Sequence, residues 1–328
     1  MDKREFLYFP SLDPAINLAL EEWLLASLPP EHPGLFLLWQ NGPSVIVGRH
    51  QRTAEEINAE FVRRENIPVV RRNTGGGAVY HDTGNLNFSF LENAQTPGKV
   101  DFHRFLAPIS AALADLGVMA EISGRNDLEV KSRKISGSAQ LLRGGKRLHH
   151  GTLLVNLDFS RMVEALNPAP DKTRSKGVKS VRARVANLVD FWRPGTGLEE
   201  LKNALLRHCA SGPARLGAGD MAAAENLAEK KYRQWDWNYG ASPAFTEKKR
   251  ERFPWGDVEM RLDVRNGVIR ACRINGDFFS AAPVGELETL LTGQRREGSA
   301  LALALAAVDL ESFFSGCDPA VMRRFLTE

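Results

Sequence analysis

At 328 residues the chain is long enough for one large domain or two unequal ones, and we read two. Its 43% hydrophobic and 25% charged residues are the composition of a globular protein with a sizeable core, and a formal net charge of +3 argues against wholesale nucleic-acid binding. Three cysteines without a CxxC pair give no sign of a disulfide framework or a zinc site, and the longest apolar run, "GSALALALAAVDLE", is too short to span a bilayer and reads as a buried helix. With no signal peptide in "MDKREFLYFP", the expectation is a cytoplasmic protein, monomeric, with neither nucleic acid nor membrane as partner.

"SLDPAINLALEEWLLASLPP" opens on Asp13 as N-cap and Pro14 at the first helical position, and Pro29 stops the helix. "GLFLLWQN" and "PSVIVGRH" are short β-rich runs split by the turn signal Asn41-Gly42-Pro43. "TAEEINAEFVRREN" predicts one amphipathic helix, "IPVVRR" and "LNFSFLE" strands, and "VDFHRFLAPISAALADLG" a longer helix. Residues 119–158 predict a β-meander, punctuated at Gly124-Arg125-Asn126-Asp127 and at Gly144-Gly145. Helices are expected near 198–210 and 220–234. A hairpin around Arg265-Asn266-Gly267 and further helices then form a small α+β C-terminal domain, with the boundary near 242–246.

The stretch "RRNTGGGAVYHDTGN" (71–85) carries the strongest chemical signal. Three consecutive glycines cost backbone entropy, and are tolerated where positive φ is needed or where a ligand packs on the main chain. Their N–H groups can converge on an anion, to which Arg71 or Arg72 would add a guanidinium suited to phosphate or carboxylate. On a strand the two arginines point to opposite faces, so one of them is expected to meet the ligand. Neither the P-loop nor the G-x-G-x-x-G pattern is present, and a flexible loop with solvated arginines fits the same residues.

Downstream, Lys134 begins a strand whose "ISGSA" leaves room for a ligand or a close backbone. A lysine there could stabilise charge on a carboxylate or phosphate oxygen, although a surface lysine fits as well. Asn126 and Asp127 could hold a hydrated Mg²⁺ or form an ordinary turn. His149 and His150 fall on opposite strand faces and cannot easily share a metal. The basic stretch 171–185 could close over a nucleotide or remain a solvated loop, and its lack of aromatics weakens an RNA role.

Together and in this order, these stretches resemble the lipoate–protein ligase A family. They are "RRNTGGGAVYHDTGN", "SGRNDLEVK" with "RKISGSA", "LHHGTLL", "KGVKSVRARVANL" and "WDWNYGASPAF". The resemblance implies a mixed-sheet α/β catalytic domain shared with biotin–protein ligases, at residues 1–243, and an α+β accessory domain at 244–328. It implies that ATP and Mg²⁺ activate lipoate to lipoyl-AMP. The lipoyl group then passes to a lysine of apo lipoyl domains of E2 subunits or of glycine-cleavage H protein. The implied nucleotide contacts are Arg72, Gly77, Ala78, Val79, Tyr80, Lys134, Lys179 and Arg182. The implied lipoate contacts are Arg72, Gly75, Gly76, Gly77, His81, Lys134 and His149, with Lys134 catalytic and Asn126 and Asp127 near Mg²⁺.

A transferase on the same fold would need a cysteine nucleophile, and the first 208 residues contain none. If an acyl-adenylate presses on the glycines, Gly76→Ala should cost activity more than stability.

Overall fold

The computed structural model describes residues 4–9, 11–94, 100–124, 126–166, 183–239 and 246–328. The N-terminal part is built on an eight-stranded mixed sheet. Its strands are β1 (Glu5–Tyr8), β2 (Leu35–Trp39), β6 (Asn85–Asn93), β7 (Glu121–Ser123), β8 (Asp127–Val130), β9 (Arg133–Arg143), β10 (Lys146–Leu154) and β11 (Gly212–Pro213), in the order β11-β1-β2-β6-β10-β9-β8-β7. The β11–β1 and β1–β2 pairs are parallel and the others antiparallel. A second, small sheet joins β3 (Ser44–Val47) to β4 (Val69–Arg71) in parallel and to β5 (Val79–His81) antiparallel.

Helix α1 (Pro14–Ser27) starts where the sequence places it. The Asp13 carboxylate accepts from the Ala15 and Ile16 amides, and Pro14 sits in the first turn, where no intrahelical N–H is needed. Strand β6 alternates in the way that decides the site. Leu86, Phe88 and Phe90 go to one face and join an aromatic core with Phe102 and Phe105, while Asn85, Asn87 and Ser89 share the other.

Several expectations are corrected. The single helix over "TAEEINAEFVRREN" is two short ones, Thr53–Glu56 and Ala59–Arg64. Ile57 breaks it by bridging to Leu166, and the Asn58 side chain caps the second by accepting from Phe61 N–H. The helix in "GSALALALAAVDLE" covers only Gly298–Ala304 and buries one side, with Leu301 enclosed and Leu303 79% exposed.

The C-terminal part forms a three-stranded antiparallel meander of β12 (Glu247–Phe253), β13 (Gly256–Arg265) and β14 (Val268–Gly276). Asn266 and Gly267 turn the last hairpin with φ of 52° and 73°, as an Asn-Gly pair does most cheaply. Its helices pack on a core of their own that includes Val258, Met260, Phe278, Leu287 and Phe325. The expected boundary at 243/244 lies outside the described residues.

Two side chains after β14 fasten this part to the rest. The Phe278 ring stacks on His50 at 4.8 Å, and Phe279, 1% exposed, inserts into the aromatic core under the large sheet. Among the described residues no helix is long and apolar enough to cross a membrane.

Candidate active site

A cavity of about 360 Å³ lies between the polar face of β6 and β10 and the small sheet. Its walls include Trp39, Asn87, His150 and Thr152 on one side, and Arg72, Gly77 and His81 on the other. Two larger grooves, of about 990 and 1310 Å³, contain neither Lys134 nor Gly76 and Gly77, so chemistry rather than size marks the site.

The two arginines separate as strand geometry requires. Arg71, 6% exposed, turns away from the cavity and ties the loop after β3 to the "WDWN" helix. It donates to the carbonyls of Gly48, Arg49, Gln51, Trp237 and Asn238 and to the Thr53 hydroxyl. Arg72 lines the cavity but is itself occupied. It donates to the carbonyls of Gly75 at 2.7 Å, Gly77 at 2.8 Å and Ile46 at 3.2 Å, and to Thr74 Oγ1 at 3.0 Å. Burial, and then Arg71, push its pKa down to about 10, which leaves it charged at neutral pH. Arg72 therefore shapes the glycine segment from within.

That clamp continues as a buried line. Thr74 Oγ1 lies 2.8 Å from His150 Nε2, and His150 Nδ1 lies 3.0 Å from both Glu21 oxygens. Glu21 also accepts from Ser89 Oγ at 2.6 Å, and Ser89 accepts from Trp39 Nε1 at 2.9 Å. Arg72 and Glu21 are thus linked through Thr74 and His150, so the buried polar groups along the line find partners in one another.

Each glycine answers to a different neighbour. A Cβ on Gly75 would stand 2.0 Å from the Phe278 carbonyl oxygen, so the C-terminal part packs on it. Gly76 has φ +89°, and its Cβ would meet Arg72 Nη2 at 3.1 Å and the Phe279 ring at 3.3 Å. Only Gly77 faces open space. Gly76→Ala should therefore cost stability beside activity, because side chains rarely adopt that φ.

At the far edge of the cavity Lys134 Nζ pairs with Asp127 Oδ1 at 2.8 Å. Gly137 makes this position available: a Cβ there would lie 2.8 Å from Lys134 Nζ. Asn126 Nδ2 donates to the Ser138 carbonyl at 2.6 Å, and both Asn126 and Asp127 line the cavity. The amide oxygen of Asn126 and the second oxygen of Asp127 suit Mg²⁺, which keeps most of its waters and takes few protein ligands.

The family model for the lipoyl protein ligase A/B catalytic domain matches residues 13–210. The model for the bacterial lipoate protein ligase C-terminus matches 242–326. The chain belongs to the lipoate–protein ligase family. Lipoate-protein ligase LplJ of Bacillus subtilis is 43% identical over 309 residues, covering 92% of this chain and 93% of that protein. Two solved structures resemble the fold. One is a bi-partite lipoate protein ligase described with its E2 lipoyl domain from Thermoplasma acidophilum (29% identity, TM-score 0.65, 75% of this chain and all of that one). The other is a lipoate-protein ligase A bound with ATP (28%, TM-score 0.62, 73% and 99%).

Of the site residues expected for a lipoate–protein ligase, the fold brings Arg72, Gly76, Gly77, Ala78, Val79, His81, Asn126, Asp127 and Lys134 to one cavity. It directs three others elsewhere. Gly75 packs on Phe278; Tyr80 points to the opposite side of β5, into an apolar cluster with Val45 and Phe61. His149 stacks on Phe105 at 4.8 Å in the aromatic core, and His150 faces the cavity in its place. Lys179 and Arg182 lie outside the described residues.

Asn87, His150 and Thr152 were missed as wall residues. The period-2 run "NLNFS", polar on one face of an apolar strand, is the signal that finds Asn87. The cysteines fit a ligase: none lines the cavity, and burial raises the Cys209 thiol well above its usual range.

Proposed function

We propose that this ligase activates lipoate with ATP and Mg²⁺ to lipoyl-AMP and pyrophosphate, then forms an amide with a lysine of a carrier protein. The observation that carries this is one cavity that joins the glycine segment, the Lys134–Asp127 pair and an inner wall of Leu18, Ile46 and Trp39. An apolar tail fits against that wall with its carboxylate toward Lys134. The ATP in the solved relative and the E2 lipoyl domain named with the other support the nucleotide and the carrier class.

In the first step a carboxylate oxygen attacks the α-phosphorus and pyrophosphate leaves. In the second the carrier amine attacks the acyl carbonyl, the C–O bond to AMP breaks, and the amine loses a proton. Neither step needs a protein nucleophile; both need placement and cations. Lys134 Nζ is the cation that would hold the acyl and phosphate oxygens, exchanging Asp127 for substrate. Asp127 and Asn126 would hold Mg²⁺, which offsets phosphate charge when bound. Gly77, Ala78 and Val79 present backbone to the ligand, while Arg72 holds their loop in shape. Residues 1–243 would be the catalytic domain and 244–328 the accessory domain of a cytoplasmic monomer, with E2 lipoyl domains and glycine-cleavage H protein as carriers.

The test is pyrophosphate release from ATP and Mg²⁺, with and without lipoate and an apo lipoyl domain. Lys134→Ala should lower lipoate-dependent release by about a hundredfold or more, the scale of losing a charge-stabilising donor. The lipoyl domain should gain the mass of one lipoyl group. Acyl transfer from an acyl-carrier protein without ATP would contradict the proposal.

A further inference from the structure

A line of buried amides ends on the cavity wall. Asn17 of α1 and Asn41 are both 0% exposed. The two hydrogens of Asn17 Nδ2 are shared among three acceptors, the carbonyls of Ser11 at 2.9 Å and Gln40 at 2.8 Å and Asn41 Oδ1 at 2.9 Å. Two backbone carbonyls identify that atom as the NH₂ group, so Asn41 presents its oxygen to Asn17 and its own NH₂ to the next residue. Asn41 Nδ2 lies 3.0 Å from His81 Nδ1. A donor at Nδ1 fixes the lone pair there and the ring proton on Nε2.

His81 is 3% exposed and lines the cavity, yet its Nε2 has no hydrogen-bond partner among the described residues. Burial, and then Arg72 and His150, hold its pKa near 3, so the ring is neutral. Asn87, 1% exposed on the same cavity, repeats the pattern. Its Oδ1 accepts from Asn85 Nδ2 at 2.9 Å, and its Nδ2 has no partner among the described residues. The neighbouring Arg72–Thr74–His150–Glu21 line leaves no such donor. A buried donor without an acceptor costs about 1–3 kcal/mol, so His81 Nε2 and Asn87 Nδ2, with the equally unpartnered Ser138 Oγ on the same cavity, point to acceptors that arrive with the ligand.

Sheet register says which end of the ligand that is. Asn87 pairs across with Thr152, and Thr152 Oγ1 lies 3.3 Å from the Gly137 amide, beside which Lys134 Nζ rests. Asn87 therefore stands at the level of Lys134, while His150 and Ala139 mark the next level inward. We propose that His81 Nε2–H and Asn87 Nδ2–H₂ form a neutral clamp for the acyl carboxyl group, and that Asn41, backed by Asn17, is the positioning residue that keeps His81 in the donor tautomer. This rests on the ligase reading above. Neutral donors hold one carboxylate oxygen without taking its charge, which leaves the other oxygen to attack phosphorus. The held oxygen becomes the carbonyl of the mixed anhydride, and negative charge returns to it when the amine adds.

Asn41→Asp tests this at nearly constant shape. Its carboxylate accepts from His81 Nδ1–H, which turns the Nε2 lone pair toward the cavity. Heteronuclear NMR of the ring, recorded above its titration in the variant, should show the proton moved from Nε2 to Nδ1. KM for lipoate and for octanoate should rise by the same factor, about tenfold or more, with KM for ATP unchanged. Asn87→Asp, which keeps the acceptor for Asn85 and removes the cavity donor, should raise both acid KM values alike and keeps the proposal testable if the first variant does not fold.

A moved proton with unchanged KM would overturn the clamp, and so would a rise confined to lipoate, which would assign the donors to the ring sulfurs. An unmoved proton would overturn the role of Asn41. Failure of the ligase reading would show separately, as wild-type protein that releases no pyrophosphate on adding acid. The tautomer is read without turnover.

Discussion

Adjacent residues of the glycine segment do different work, and substitution should separate them. Gly77→Ala places a methyl group in open cavity with no neighbour within 4 Å among the described residues, so it should leave the melting temperature nearly unchanged and lower activity. Gly76→Ala must adopt φ +89° against Arg72 and Phe279, and should cost about 1–3 kcal/mol of stability as well. Paired thermal melts and pyrophosphate assays on the two variants check this. Equal stability losses would contradict it. The sequence made the triplet conspicuous, but Phe278 lies two hundred residues along the chain, so the partner that excludes a side chain at Gly75 could not be read locally.

At the scale of elements, most of the chain followed its local signals. The Asp13-Pro14 start of α1, the Asn266-Gly267 turn and the alternation of β6 are short-range steric and hydrogen-bonding effects, so sequence displays them. Asp13→Ala removes an acceptor shared by two amides and an ion pair with Arg233 at 2.6 Å. The pair is surface-exposed, so the cap dominates, and the variant should lose about 1 kcal/mol in denaturant unfolding with turnover nearly intact. The broken helix at Ile57-Asn58 shows the limit of such signals. An amphipathic pattern continues through it, and only the bridge to Leu166 reveals the interruption.

At the scale of the whole molecule, three histidines couple stability to acid: His149, which burial holds well below its usual value, and His81 and His50. Burial and nearby arginines lower His81 and His50 from 6.5 to about 3. Between those values the unfolded chain binds more protons than the folded one, so stability falls as pH falls through that window. His81 alone contributes about 1.4 kcal/mol per pH unit, and the part-exposed His50 contributes less. Its ring stacks on Phe278, and its Nε2 lies 3.1 Å from Ser280 Oγ, so acid should also loosen the seam between the two parts. Melting temperatures from pH 7 to pH 5 should decline, and His50→Gln should decline less steeply. A flat profile would contradict both assignments.

By itself the sequence determined the elements with strong caps and turns and the family, and it pointed to a two-part plan and to candidate site residues. These depend on residue type and on spacing within a few positions. Tertiary structure decided which arginine faces the cavity, which of two adjacent histidines does, and why each glycine is needed. Those outcomes are contacts between β4, β6, β10, the "WDWN" helix and Phe278–Phe279, joined only when distant segments pack. Strand alternation says that His149 and His150 part company; only the aromatic core on one side of the sheet and the cavity on the other say which goes where.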